Sequence, residues 1–101
     1  GDDTLMQLKR YKVDKVFMGC DGIDLAKGAT TYDHIAAAVH KQMIECANER
    51  ILVADDTKLG KIALTQIADL HCFETLITTH ATEKDVLCGQ LEQNGLKVVR
   101  V

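Results

Sequence analysis

Apolar residues along this chain fall into two kinds of stretch that alternate: short continuous runs, and longer segments of helical period. Val16-Phe17-Met18 is one such run, within a strand read over Val13 to Cys20, and Ile51-Leu52-Val53-Ala54 is a second. Leu76 and Ile77 centre a third in "TLITT", and "LKVVRV" at 96–101 closes a fourth. Between the first two runs, Ala36, Val39, Met43 and Ala47 recur at three-to-four spacing. That pattern predicts a helix over 33–48, capped by Asp33 and stopped at Asn48. A second helix is predicted over 83–93, with Thr82 as its cap, Asp85 in its first turn and Asn94-Gly95 as its stop. Leu5 and Leu8 suggest a short helix ending near Lys12, and 21–32 reads as a loop. Residues 61–70 fit either a helix, through Ala63, Ile67 and Leu70, or an extended stretch.

Near-continuous apolar strands joined by helices imply an α/β fold, a mostly parallel sheet with flanking helices. Crossovers of that kind bring the carboxyl ends of the strands to one rim, which is where open α/β sheets bind ligands. Strand one ends in Asp21 and Asp24, strand two in Asp55, Asp56 and Lys58, and strand three in Thr78, Thr79 and His80. A single aspartate at a strand end is ordinary turn and cap chemistry. Asp21, Asp24 and Lys58 on neighbouring strand ends read instead as a site. A lysine supplies a point charge for phosphate, and carboxylates accept hydrogen bonds from hydroxyls, so the expected ligand is a small polyol phosphate. Gly19, Gly22 and Gly28 fit the same picture, because glycine lets backbone N–H groups approach a ligand closely.

Composition narrows the class. At 101 residues the chain makes one domain, and 47% hydrophobic with 27% charged residues is ordinary for a globular protein. No apolar run approaches the roughly 18 residues of a membrane span, so no membrane partner is expected. With a net charge of −3 and scattered lysines and arginines, nucleic-acid binding by this chain alone is not expected. Cys20, Cys46, Cys72 and Cys88 form no C-x-x-C pair and read as reduced, structural thiols, which implies a cytoplasmic location. No dinucleotide or Walker motif occurs, and Asp21-Gly22-Ile23-Asp24 lacks the spacing of a calcium loop. His34, His40, His71 and His80 have no metal-ligand spacing. His34 and His40 read as solvated helix residues, and His80 alone is kept as a rim candidate. Neither cofactor nor metal is expected. The absence of proline and the initial Gly1 suggest a piece of something longer.

The motifs "DKVFMGCDGID…KGATTYD", "MIECANERILVADDTKLGKIAL", "DLHCFETLITT" and the closing "LKVV" occur in order from about Leu5 to Val101. Together they resemble the sensor domain of the DeoR family of bacterial transcriptional repressors. The resemblance implies a fold like that of ribose-5-phosphate isomerase and an inducer that is a phosphorylated sugar. It further implies that Asp21, Gly22 and Asp24 lie at the effector, joined by Asp55, Lys58 and Gly60 of the Ala-Asp-x-x-Lys-x-Gly motif. Operator DNA would be bound only through an N-terminal helix-turn-helix. That domain and the first, phosphate-binding half of the sensor are not represented in these residues, making 1–101 a partial sensor. Apolar surface that such a half covers is then expected to be exposed or used in self-association, and a homo-oligomer is expected. The chain departs from the family pattern in places: Asp56-Thr57 stands where Ser-Ser is usual, and Thr78-Thr79 where Thr-Asp is usual. Tyr32 replaces a usual proline and Cys20 a common alanine. The alternative reading is a sugar-phosphate isomerase or deaminase relative with Asp21 or Asp24 as general base.

Overall fold

The four apolar runs all become strands, and they pair in one direction. In the computed structural model, which describes residues 2–101, the elements are α1 (Asp2–Leu8), β1 (Val13–Met18), β2 (Gly22–Asp24), β3 (Gly28–Thr31), α2 (His34–Cys46), β4 (Ala47–Val53), β5 (Thr65–Ala68), β6 (Thr75–Thr78), α3 (Asp85–Gln93) and β7 (Lys97–Arg100). One sheet has the order β1-β4-β6-β7 with every pair parallel, and β2-β3-β5 form a smaller antiparallel sheet. The α/β class and the parallel sheet with helices therefore stand.

Strand register decides where the core sits. Met18, Leu52, Leu76 and Val98 are neighbours across the four parallel strands and so point to one face. That face packs against Ala37 and Ile44 of α2, Cys88 and Leu91 of α3, and Ile23 and Ile67 of the small sheet, in a single core cluster. Strand order advances in one direction, and right-handed crossovers then place every connection on the same side. The opposite face carries Phe17, Ile51, Val53, Ile77 and Val99. On it Phe17 is 60% and Val53 43% exposed, Ile77 and Val99 are half-buried, and Ile51 is buried. Apolar side chains are thus exposed on part of this sheet face.

Local chemistry explains the helix ends, with corrections to the sequence reading. Asp33 caps α2 by accepting from the Ile35 N–H at 2.9 Å. The helix ends earlier than Asn48, because Ala47 already has extended backbone and pairs with Val13 at the start of β4. Its buried line runs through Ala37 and Ile44, one residue away from the predicted Ala36, Val39 and Met43. Thr82 does not cap: residues 82–84 form a 3-10 turn, and Asp85 instead pairs with Arg100 at 2.6 Å. The Asn94-Gly95 stop holds in detail. Gly95 lies at φ +95, its N–H reaches the Glu92 carbonyl, and the Leu96 N–H reaches that of Leu91, the pattern of a Schellman cap.

Two stretches without a clear period become β-structure. Residues 21–32, expected as loop, fold into the β2–β3 hairpin, and the ambiguous 61–70 segment supplies β5, paired antiparallel with β3. The hairpin turns through Leu25, Ala26 and Lys27, whose last two N–H groups donate to Asp24 Oδ2 at 3.0 and 2.8 Å. Gly28 closes the turn at φ +75, and a Cβ there would stand 2.3 Å from the Ala68 carbonyl oxygen. Gly28→Ala therefore has two costs, a left-handed backbone and a clash, and should lower stability by about 2 kcal/mol or more. Gly89→Ala, inside α3 with open space around it, should raise stability by about 0.5–1 kcal/mol. Urea denaturation of the two variants beside the parent checks both signs.

Candidate functional site

The rim is assembled by short connections that leave the strand ends and are then tied to one another. After β1 the chain turns at Gly19 and Cys20, and the Asp21 N–H donates to the Thr30 carbonyl at 2.9 Å. Strand pairing thereby brings Thr31 beside Asp21, and Asp21 Oδ2 accepts from Thr31 Oγ1 at 2.8 Å and from the Tyr32 N–H at 3.1 Å. The Thr31 hydroxyl first, the Tyr32 N–H next, and more weakly the charges of Lys58 and His40 hold this carboxyl below its ordinary range. Cys20 is its neighbour. Burial, opposed by the Gly22 N–H, pushes the thiol up to about 11, so it is protonated at neutral pH and no nucleophile.

A second piece of the rim follows β4. Asp55 caps the 3-10 turn Asp56–Lys58, accepting from the Thr57 N–H at 2.8 Å and from the Thr57 hydroxyl. These bonds, with smaller help from Lys58 and Lys61, lower the Asp55 carboxyl pKa. The turn is joined directly to the first piece: the Gly60 N–H donates to the Ile23 carbonyl at 2.8 Å, and Ile23 and Leu59 form a parallel bridge. Gly60 sits at φ +88, which accounts for glycine at that position. Lys58 thus comes within electrostatic reach of Cys20, Asp21 and Asp55. Its side chain makes no ion pair among the described residues. A depression of about 250 Å³ lined by Val53, Ala54, Asp55, Ile77, Thr78, Thr79 and Val101 runs from Asp55 at the rim onto the sheet face that carries Val53 and Ile77.

The structure brings Asp21, Asp55, Lys58 and Gly60 together and gives the other two candidates local work. Asp24 lies at the far end of β2, where its carboxylate holds the hairpin turn. Gly22 is dictated by packing, since a Cβ there would stand 2.4 Å from the Lys61 carbonyl oxygen and 2.7 Å from Thr30 Oγ1. His80 is exposed, and its backbone N–H bonds the Val101 carbonyl. His34 is exposed as read, but His40 is half-buried, with an Nδ1 that has no partner among the described residues. Sequence reasoning missed Thr31 as the partner of Asp21. Its only signal is alternation within a four-residue strand that periodicity does not reveal. No group of His, Cys, Asp or Glu among the described residues could hold a metal ion, and no helix among them is long and apolar enough to cross a membrane.

Comparison with known proteins decides the family. Residues 1–80 match the DeoR C terminal sensor domain. The chain belongs to that family. It is 32% identical over 101 residues to a putative aga operon transcriptional repressor of Escherichia coli O157:H7, covering all of this chain and 37% of that protein. It is 31% identical over 99 residues to the HTH-type transcriptional repressor GlcR of Bacillus subtilis, covering 98% of this chain and 38% of that one. The HTH-type transcriptional regulator GlpR of Haloferax volcanii is 32% identical over 92 residues, 91% of this chain and 36% of its own length. The chain therefore spans a little over a third of the length of these curated relatives. These relatives are transcriptional regulators, not enzymes.

Two polar residues of this DeoR sensor chain that are far apart in sequence meet in space. The Thr79 hydroxyl donates to the Asp56 carboxylate, and the Asp56 N–H donates to Thr79 Oγ1 at 2.9 Å.

Because hydrogen bonding lowers the Asp21 pKa, its stabilisation is complete above the unfolded-state pKa and is lost as pH falls through the folded value. Thr31→Val removes the largest cause at nearly constant volume, so the Asp21 carboxyl should titrate at higher pH, and the part of the stability that Asp21 loses to acid should become smaller and be gone at a higher pH. Carbon-detected NMR titration of the Asp21 carboxyl checks this, and an unchanged midpoint would contradict the assignment.

Proposed function

We propose that this chain is the effector-binding part of a DNA-binding transcriptional repressor of carbohydrate metabolism, and that its effector is a phosphorylated sugar. The observation that carries this reading is Lys58: an unpaired ammonium on a glycine-bounded turn, beside two ionised aspartates, at the carboxyl-end rim of a DeoR sensor sheet. The lysine suits a phosphate, and the free oxygens of Asp21 and Asp55 suit sugar hydroxyls. Gly60 sets the turn that carries the lysine, while Gly22 and Asp24 hold the hairpin behind Asp21. The names of relatives point the same way, one being the glycerol-3-phosphate regulon repressor of Haemophilus influenzae, 26% identical over 99 residues.

In this reading the site is one side of a larger one. A glycine-rich turn from the first half of a full-length sensor supplies the rest, operator DNA is held by an N-terminal helix-turn-helix, and the full-length protein works as a cytoplasmic homo-oligomer. Regulation is then linkage: the effector binds the state of low DNA affinity more tightly, with a coupling of about 1–3 kcal/mol.

The test is calorimetric titration of the full-length protein with ribose 5-phosphate, glucose 6-phosphate and fructose 6-phosphate, with the unphosphorylated sugars as controls. A phosphorylated member should bind and its parent sugar should not. Lys58→Ala should weaken that binding about 10- to 100-fold, the equivalent of one charge-assisted hydrogen bond of about 1.5–3 kcal/mol. Its unfolding midpoint should stay unchanged, because the side chain is unpaired. Undiminished affinity in this variant would remove Lys58 from the site.

A further inference from the structure

The turn that carries Lys58 is exposed at Asp55, Thr57 and Gly60 and contains only one 3-10 turn of its own. Such a segment needs outside attachments to hold a charge in one place, and preorganised placement is what gives a binding group its effect. Its attachments can be followed one by one. On the inner side, Leu59 is buried and bridged to Ile23, and the Gly60 N–H bonds the Ile23 carbonyl. On the outer side, two side chains from elsewhere in the chain take hold. Thr79, just past β6, accepts from the Asp56 N–H at 2.9 Å and donates to the Asp56 carboxylate. Lys84, in the 3-10 turn before α3, reaches across to donate from Nζ to the Leu59 carbonyl at 2.7 Å, in a half-buried position. Neither residue belongs to the Ala-Asp-x-x-Lys-x-Gly motif, and neither carboxylate of Asp55 nor Lys58 itself restrains the turn from that side.

We propose that Thr79 and Lys84 are positioning residues for the effector site: they clamp the Asp55–Gly60 turn to the end of β6 and the start of α3, and so fix where Lys58 stands. This rests on the reading of Lys58 as the phosphate-binding residue. The same clamp answers an electrostatic problem. Asp56 adds a negative charge to the turn that carries the cation, and the Thr79 hydroxyl draws that carboxylate toward β6. Lys84 engages a carbonyl and not an acid, so its ammonium also keeps a positive charge beside the turn.

Two measurements test this, one of them without any ligand. In hydrogen exchange by NMR, Thr79→Ala and Lys84→Met should each speed exchange of the Leu59 and Gly60 amides about tenfold, the loss expected for one or two ordinary hydrogen bonds. Amides in α2 should not change. In titration of the full-length protein with the sugar phosphates named above, each variant should weaken binding about tenfold while leaving the unfolding midpoint within error, since Thr79 is exposed and Lys84 half-buried. Asp56→Ser combined with Thr79→Asp restores a hydroxyl–carboxylate pair with its members exchanged, and should recover both slow exchange and affinity. Thr79→Ala and Lys84→Met that leave the exchange rates at parental values overturn the clamp. Faster exchange with unaltered affinity, while Lys58→Ala still weakens binding, overturns its role at the site. If Lys58→Ala itself has no effect, the effector-site reading fails on its own account, and the exchange data alone then decide whether the clamp exists.

Discussion

Everything at the rim depends on one constraint: the four parallel strands are laid down in a single direction, β1-β4-β6-β7, and knit together by the row Met18–Leu52–Leu76–Val98. Parallel pairing forces each strand to begin again at the same end, so all carboxyl ends meet on one edge. One direction of growth with right-handed crossovers forces all the packing elements onto one face. The buried core, the polar rim and the partly exposed face with Phe17 and Val53 are three consequences of that topology. A buried parallel sheet ordinarily has cover on both faces, so the exposed part of this face belongs to the same description as the rim beside it.

The rim follows a simple pairing rule. Asp21 is held by Thr31, Asp55 by Thr57 and Asp56 by Thr79, so each acid has a threonine hydroxyl as its donor. Hydroxyl donors favour the ionised carboxylate without neutralising it. That leaves Lys58 as a cation with nearby counter-charge but no partner of its own, a state that a salt-bridged lysine would not offer to a ligand. It also explains how three carboxylates can crowd a site read as phosphate-binding: each is oriented by its threonine, and Asp56 is turned toward β6. Cys20 sits among these charges yet contributes only volume, because its thiol stays protonated.

Strands made of continuous apolar residues were legible along the chain, because a buried parallel strand needs little beyond apolar side chains. Helices α2 and α3 were legible from their period and from Asp33 and Gly95, whose capping chemistry is local. The β2–β3 hairpin and β5 were not. They are three or four residues long, are held by pairing across the chain, and carry sequences such as Gly22-Ile23-Asp24 that look like loop. The end of α2 was also hidden, since Ala47 would continue a helix and leaves it only because Val13 is there to pair with. At the rim, glycines read as permitting ligand approach proved to have backbone reasons: Gly22 and Gly28 lie against the carbonyls of Lys61 and Ala68.

By itself, then, the sequence determined the layer class, the positions of the main strands along the chain, and the set of polar residues at their ends, because hydrophobic period and capping act over a few residues. It also carried the family, in motifs spread along its length. Only the tertiary structure decided which of those polar residues work together. Asp24 and Asp21 are three positions apart, yet strand pairing sends one to a turn and the other to the rim. Asp56 and Thr79 are 23 positions apart and share a hydrogen bond. Such partnerships are set by the register between strands, and register is a property of the packed sheet that no single segment contains.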